Sequence, residues 1–196
     1  MPRKEPRVNR EIIADYGWYT SLLEDRKTID TPVIYVRNNK DSHAAWKYQS
    51  VYASMEPIGQ VYFGVEVKTK NPKRFKFRLT CHHLTEEPFF RFDSSGQPHW
   101  NRSSKVNFKE EMVSTPHFQK FTDEGIMIAY KTEKLLDENE SLALEDISMC
   151  VIHFCHESNM RLNEDDFPTI SLILDEQISL FEPEPEGDPT RKFKYE

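Results

Sequence analysis

A chain of 196 residues with a formal net charge of −7 is long enough for one well-buried core, and its acidity argues against general adhesion to nucleic acid, which Lys and Arg drive. No apolar run approaches the ~20 residues a membrane span needs, and the basic start MPRKEPRVNR is not followed by the apolar stretch of a secretory signal. The three cysteines, Cys81, Cys150 and Cys155, form no spaced framework. An odd count without a signal points to buried free thiols in a reducing cytoplasm.

Residues 1–9 read as a mobile arm. Ile12, Tyr16, Tyr19 and Leu23 then recur at helical spacing, with Ile13 and Leu22 widening the stripe, and predict a helix over 10–27 that Gly17 weakens. Pro32 ends the link, and Val33 to Val36 fit a short strand. Residues 37–47 are polar and read as loop.

From Tyr48 the period changes to two. Val51, Ala53 and Met55 alternate, Pro57 and Gly59 turn the chain, and Val61, Phe63, Val65 and Val67 resume the alternation. Asn71-Pro72 turns it again. Phe75, Phe77 and Leu79 then alternate with Arg74, Lys76 and Arg78. The two strands predict an antiparallel hairpin with one apolar face and one basic face. The apolar face is expected to pack on the core and the basic face to meet solvent or an anion.

Residues 88–93 form the next predicted strand, closed by the turn Asp93-Ser94-Ser95-Gly96. A long loop, 100–112, leads to a second hairpin, 115–121 and 125–131, across Asp123-Glu124-Gly125. Leu144, Ile147, Val151 and Phe154, with Ala143 and Cys150 alongside, give the clearest helix, 140–158, with Asn159 placed to close it. Ile170, Leu172 and Leu174, then Ile178 and Leu180, predict a final strand or strand pair. The tail 182–196 is Pro-rich and charged and is expected to be disordered.

The expected fold is therefore α+β. It is one domain over 10–181, built on a twisted, mostly antiparallel sheet of six or more strands, with helices at 10–27 and 140–158 covering one face.

The stretch from Pro88 to Thr132 gathers the chain's chemistry. Arg91 and Asp93 share a strand face opposite Phe90 and Phe92, which fits either a salt bridge at the strand end or an Arg that holds a phosphate or carboxylate. His99 and His117 each follow a proline, which keeps the preceding backbone extended. Two imidazoles can divide acid and base roles across a phosphodiester; each can equally cap a turn or bond a carbonyl. Gln119 shares a strand face with His117. Glutamine is a poor ligand for zinc-like metals, so no metal is expected there.

Cys150, His153, Cys155 and His156 resemble a metal list, but helical geometry sends them in different directions, and surface positions for the two histidines are the commoner outcome. Cys81-His82-His83 has the same weakness. No phosphate-cradling glycine loop, nucleophile elbow or dinucleotide fingerprint is present, so no cofactor is implied.

Phe90, Arg91, Phe92, Asp93, Pro98, His99, Pro116, His117, Ala129 and Tyr130 together resemble a pattern in small uncharacterised bacterial proteins. The pattern runs apolar-Arg-apolar-Asp, turn, Pro-His, loop, Pro-His-x-His, turn, Ala-Tyr. It is similar, more loosely, to the TumE-like toxins of bacterial toxin–antitoxin pairs. The likeness spans about a fifth of the chain and departs at Gln119, where the pattern prefers a second His.

The resemblance implies a toxin-like or defence-associated protein acting on RNA without a metal. Arg74, Lys76 and Arg78 would steer phosphate, Arg91 would hold it with Asp93 orienting and Gln119 nearby, and His99 and His117 would transfer protons. A cognate antitoxin would be its partner. The competing expectation is a non-catalytic interaction module that holds a partner protein through its sheet or acidic tail, with a homodimer as one arrangement.

Overall fold

In the computed structural model, residues 6–36, 46–54, 61–102, 112–163 and 166–173 are described. The chain forms α1 (Arg10–Ala14), α2 (Tyr16–Glu24), β1 (Lys27–Ile29), β2 (Val33–Val36), β3 (Trp46–Ser54), β4 (Val61–Lys68), β5 (Phe75–Cys81) and β6 (Thr85–Asp93). It continues through β7 (His99–Trp100), β8 (Met112–Val113), β9 (His117–Phe121) and β10 (Met127–Tyr130). Then come α3 (Glu133–Leu136), α4 (Glu138–Ala143), α5 (Ile147–Glu157), β11 (Met160–Leu162) and β12 (Thr169–Leu172).

Eight strands make one sheet in the order β10-β9-β6-β5-β4-β3-β1-β11, antiparallel except where β11 joins β1 in parallel. Two small sheets, β2 with β12 and β7 with β8, stand beside it. The fold is α+β, as the alternation predicts. The hairpin of β4 and β5 is formed, with Phe75, Phe77 and Leu79 fully buried. Among the described residues no helix is long and apolar enough to cross a membrane.

The core is largely phenylalanine. Phe154 on α5 lies within 5.3–5.4 Å, centroid to centroid, of Phe63, Phe77 and Phe90, which line one face of β4, β5 and β6. Phe92 and Phe118 extend the cluster across β6 and β9 at 4.9 Å. Ring pairs in this range add to the burial of apolar area, at roughly 0.5–1.5 kcal/mol each. Cys81, Cys150 and Cys155 are free and buried, which fits their place in an apolar stripe.

Both predicted helices are broken, each at an aspartate. Asp15 leaves helical geometry and its carboxylate caps Trp18 N–H, dividing 10–27 into α1 and α2. Asp146 is extended and accepts from Ser148 and Met149 N–H, so α5 starts there and Leu144 ends α4 instead of opening α5. In both cases a side-chain oxygen competes with the ladder for backbone donors. Asn159, with φ 47°, follows α5 in the left-handed conformation that its sequence position predicts.

The helices also do not share a partner. α5 covers the phenylalanine face. α2 instead brings Tyr19 edge-on to Phe121, which alternates to the side opposite Phe118.

Of the stretch read as a mobile arm, residues 7–9 are tied down. Arg7 pairs with Glu87, Val8 bridges Ile126, and Asn9 caps α1 while its amide donates to Thr85. The strand elements expected near 178–180 and the tail 182–196 lie outside the described residues.

Tyr19 closes the β6–β9 ladder. The last paired rung is Phe90 with Lys120. At the next rung the Tyr19 hydroxyl accepts from Phe121 N–H at 2.7 Å and donates to the Phe89 carbonyl at 3.4 Å. Burial raises its pKa well above the ordinary phenol value, so it stays a neutral donor and acceptor. Tyr19→Phe strands the Phe121 N–H in the core and should cost about 1–3 kcal/mol, measured as a lowered urea midpoint with unchanged m-value.

Candidate functional site

Register builds the site. Side chains of directly opposed residues share a face, so β6 and β9 place Arg91 beside Gln119 and Asp93 beside His117. On β5, Arg78 stands opposite Arg91 and Lys76 opposite Asp93. On β4, Gly64 faces Arg78 and Glu66 faces Lys76; on β3, Tyr48 faces Glu66. The face opposite the phenylalanines therefore carries a continuous polar row across five strands. Arg91 and Arg78 side chains keep 28% and 31% exposure. Arg74 sits in the turn before β5, exposed and outside the row.

Asp93 is the hub. Arg91 Nη2 donates to both of its oxygens, at 3.0 and 2.7 Å, and Gln119 Nε2 donates to Oδ2 at 2.9 Å. An ionised carboxylate only accepts, so the Gln119 amide must turn its NH₂ group toward it. The same nitrogen lies 2.9 Å from His117 Nε2, which must then be the acceptor. His117 is thus held as the neutral tautomer with its proton on Nδ1, a buried atom with no hydrogen-bond partner among the described residues. It is 1% exposed, and burial lowers its pKa against the opposing pull of Asp93.

His99 stands beside it, the two rings edge-on at 6.3 Å. Its Nε2 lies 3.0 Å from the Met127 carbonyl and so donates to it, leaving the neutral form's lone pair on Nδ1. Burial lowers the His99 pKa as well, with Arg91 and Arg102 adding to the effect while the Met127 bond and Asp93 oppose it.

Two residues that the sequence reading passed over shape this site. Asn101 Nδ2 donates to the Ala129 carbonyl at 2.8 Å and its Oδ1 accepts Ala129 N–H at 2.7 Å. His99 and Asn101 together bond the Met127 carbonyl and both backbone groups of Ala129 on the outward side of β10, the edge strand of the sheet, which would otherwise be open to another strand. The available signal was the His-x-Asn spacing, which puts two polar groups on one side of an extended segment.

Gly64 is the other. A Cβ there would stand 3.0 Å from Arg78 Cγ and 3.0 Å from a Tyr48 ring carbon. Its absence lets the Arg78 guanidinium lie 4.5 Å from the Tyr48 ring centroid, while Arg78 Nη1 pairs with Glu66 at 2.9 Å. An isolated glycine inside a strand pattern is the signal for such close approach. Lys76 Nζ repeats the motif 5.1 Å from the Trp46 ring.

The two histidines of α5 are not equivalent. His156 is exposed, whereas His153 is buried, bonded to Thr132 Oγ1 at 2.9 Å and edge-on to Phe118. The surface position expected for His153 is therefore corrected: the short α3 brings Thr132 over it. His82 and His83 lie in the turn after β5, His82 pairing with Glu86 at 3.3 Å. Among the described residues no three His, Cys, Asp or Glu side chains converge as a metal site would require.

Protein-family models, curated proteins and solved structures were compared with the chain, and none matches.

The arrangement can hold an anion against Arg91 and Arg78. It offers one imidazole nitrogen, His99 Nδ1, whose lone pair is outside the bonds described. Gln119→Leu should cost about 1–3 kcal/mol, because it leaves His117 Nε2 buried without a donor and Asp93 with Arg91 alone; chemical denaturation measures it.

A pH dependence also follows. His99, His117 and His153 have folded pKa values below the ordinary 6.5, His153 at about 4 through burial, Lys134 and His156. The unfolded chain therefore takes up protons first as pH falls, and stability is lost from 6.5 downward, for His153 until about 4. Urea midpoints between pH 7.5 and 4 should show this decline, and His153→Gln should make it shallower.

Proposed function

We propose that this chain is a binding module that takes an anionic group, phosphate or carboxylate, on the open face of its large sheet, between Arg78 and Arg91. The histidines then support the site; they do not transfer protons. The observation that carries this reading is the direct cross-strand pairing of two partly exposed arginines. Like charges directly opposed on neighbouring strands destabilise a sheet, and an anion seated between them removes that cost. Glu66 on β4 pairs with Arg78, and Asp93, two residues along β6, pairs with Arg91. Arg91 spends only Nη2 on Asp93, which leaves Nη1 and Nε outside that pair.

The commitments of the imidazoles support the non-catalytic side. His117 is buried with Nε2 fixed by Gln119, and His99 uses Nε2 on an edge carbonyl. A general acid and base must reach the reacting oxygens, directly or through one water.

Calorimetric titration with inorganic tripolyphosphate at low salt tests the proposal. Binding is expected, weakened about tenfold or more by Arg91→Ala and by Arg78→Ala, since charge-assisted hydrogen bonds to an anion contribute roughly 1.5–3 kcal/mol. Absence of binding, or unchanged binding in both variants, would sink it.

A second reading, a metal-independent ribonuclease, is supported by one observation: the rings of His99 and His117 lie 6.3 Å apart, on strands next to the one that carries Arg91 or its neighbours. In that case His99→Ala or His117→Ala would lower cleavage of a labelled RNA by roughly 10²-fold. The binding reading expects no cleavage that depends on either residue.

A further inference from the structure

The open face carries more than cations. Along β3, Trp46, Tyr48 and Tyr52 lie on the same side as Lys76, Arg78 and Arg91, because Tyr48 is opposite Glu66 and Tyr52 opposite Tyr62. Successive residues on one strand face are ~6.8 Å apart, so these three rings span ~20 Å. Tyr52 and Tyr62 meet edge-on at 5.9 Å, and Tyr62 continues to His82 at 6.2 Å. Tyr52, near the end of the paired stretch of β3, keeps 45% exposure.

Charge on this face also departs from the rest of the molecule. Lys68, Lys76, Arg78 and Arg91 share it with Glu66 and Asp93, and by alternation along β6 with Glu87, while the chain as a whole is −7. The aromatics lie toward β3 and β4 and the cations toward β5 and β6. A ligand complementary to such a surface has flat apolar rings along one side and a row of negative charges along the other. Single-stranded nucleic acid has that form, and its bases stack on sheet aromatics while Lys and Arg take its phosphates.

We infer that the ligand of this face is a single-stranded nucleic acid, with bases laid over Tyr52 and Tyr62 and the phosphates along Lys76, Arg78 and Arg91. This rests on the anion-binding reading above and deepens it. A duplex offers no free base faces and fits the surface poorly. An acidic peptide satisfies the arginines but leaves the tyrosines unused.

Fluorescence anisotropy with the full chain at low salt tests the inference. The probes are a labelled eight-nucleotide oligoadenylate, an abasic strand of equal length, the same oligonucleotide in a duplex, and oligoglutamate. Single-stranded RNA should bind tightest. Tyr52→Ala should weaken it about tenfold, the scale of one lost base stack, while leaving the abasic strand unchanged. Tyr62→Leu supplies a second variant that keeps apolar bulk, and circular dichroism checks both folds. Arg91→Ala should weaken RNA and abasic strand alike.

The inference is overturned if the tyrosine variants bind RNA as the parent does, or if duplex or oligoglutamate binds equally well. In those outcomes Arg91→Ala would still weaken every anion, and the anion-binding reading stands. If neither RNA, abasic strand nor tripolyphosphate binds, both readings fall together.

Discussion

The register of β6 between β5 and β9 is the constraint on which the rest depends. Because side chains alternate, one alignment sends Phe77, Phe90, Phe92 and Phe118 to α5 and sends Arg78, Arg91, Asp93, His117 and Gln119 to the other side. A slip of β6 by one residue would turn Arg91 into the core and Phe90 and Phe92 out of it. The apolar packing around Phe154 thus fixes the polar site as firmly as any bond within it. Tyr19 guards this alignment by ending the β6–β9 ladder at Phe89 and Phe121.

Much of this was legible in the chain. The hairpin of β4 and β5 follows from an uninterrupted alternation and one strong turn, both local signals. So does the shared face of Arg91 and Asp93. Helix boundaries were not legible, because Asp15 and Asp146 sit inside runs whose apolar spacing continues past them. Only the three-dimensional environment decides whether such an aspartate caps or is carried within a turn. His99 was legible as a residue of interest but not in its use. Its partner, the Met127 carbonyl, is presented by the edge of a strand that forms 28 positions later. His153 was misplaced for the same kind of reason, since Thr132 reaches it from another element.

The site is built so that its charges are balanced but not consumed. Asp93 draws donors from its own strand and from β9, yet Arg91 remains partly exposed. Arg78 lies flat over the gap left by Gly64, one end on Glu66 and its face on Tyr48. Holding both guanidiniums in fixed positions before any ligand arrives removes side-chain ordering from the cost of binding. A surface of this kind differs from a loose patch of lysines, whose long side chains must be immobilised one by one.

Gln119 marks the chemical character of the site most clearly. Its amide nitrogen carries two hydrogens on one atom, and both are used, toward Asp93 and toward His117, at 2.9 Å each. An imidazole has its two nitrogens on separate sides of a ring and cannot direct two hydrogens from one atom in this way. The histidine that the resembling pattern prefers here would therefore break one of these bonds or place a titratable group between a carboxylate and a second imidazole. Such a chain of groups can pass a proton. With glutamine the chain is interrupted: the amide orients both neighbours, holds His117 in one tautomer, and gives up no proton of its own. The same substitution that weakens the proton-transfer reading strengthens the binding one, because it turns the centre of the site into a rigid floor beneath the two arginines.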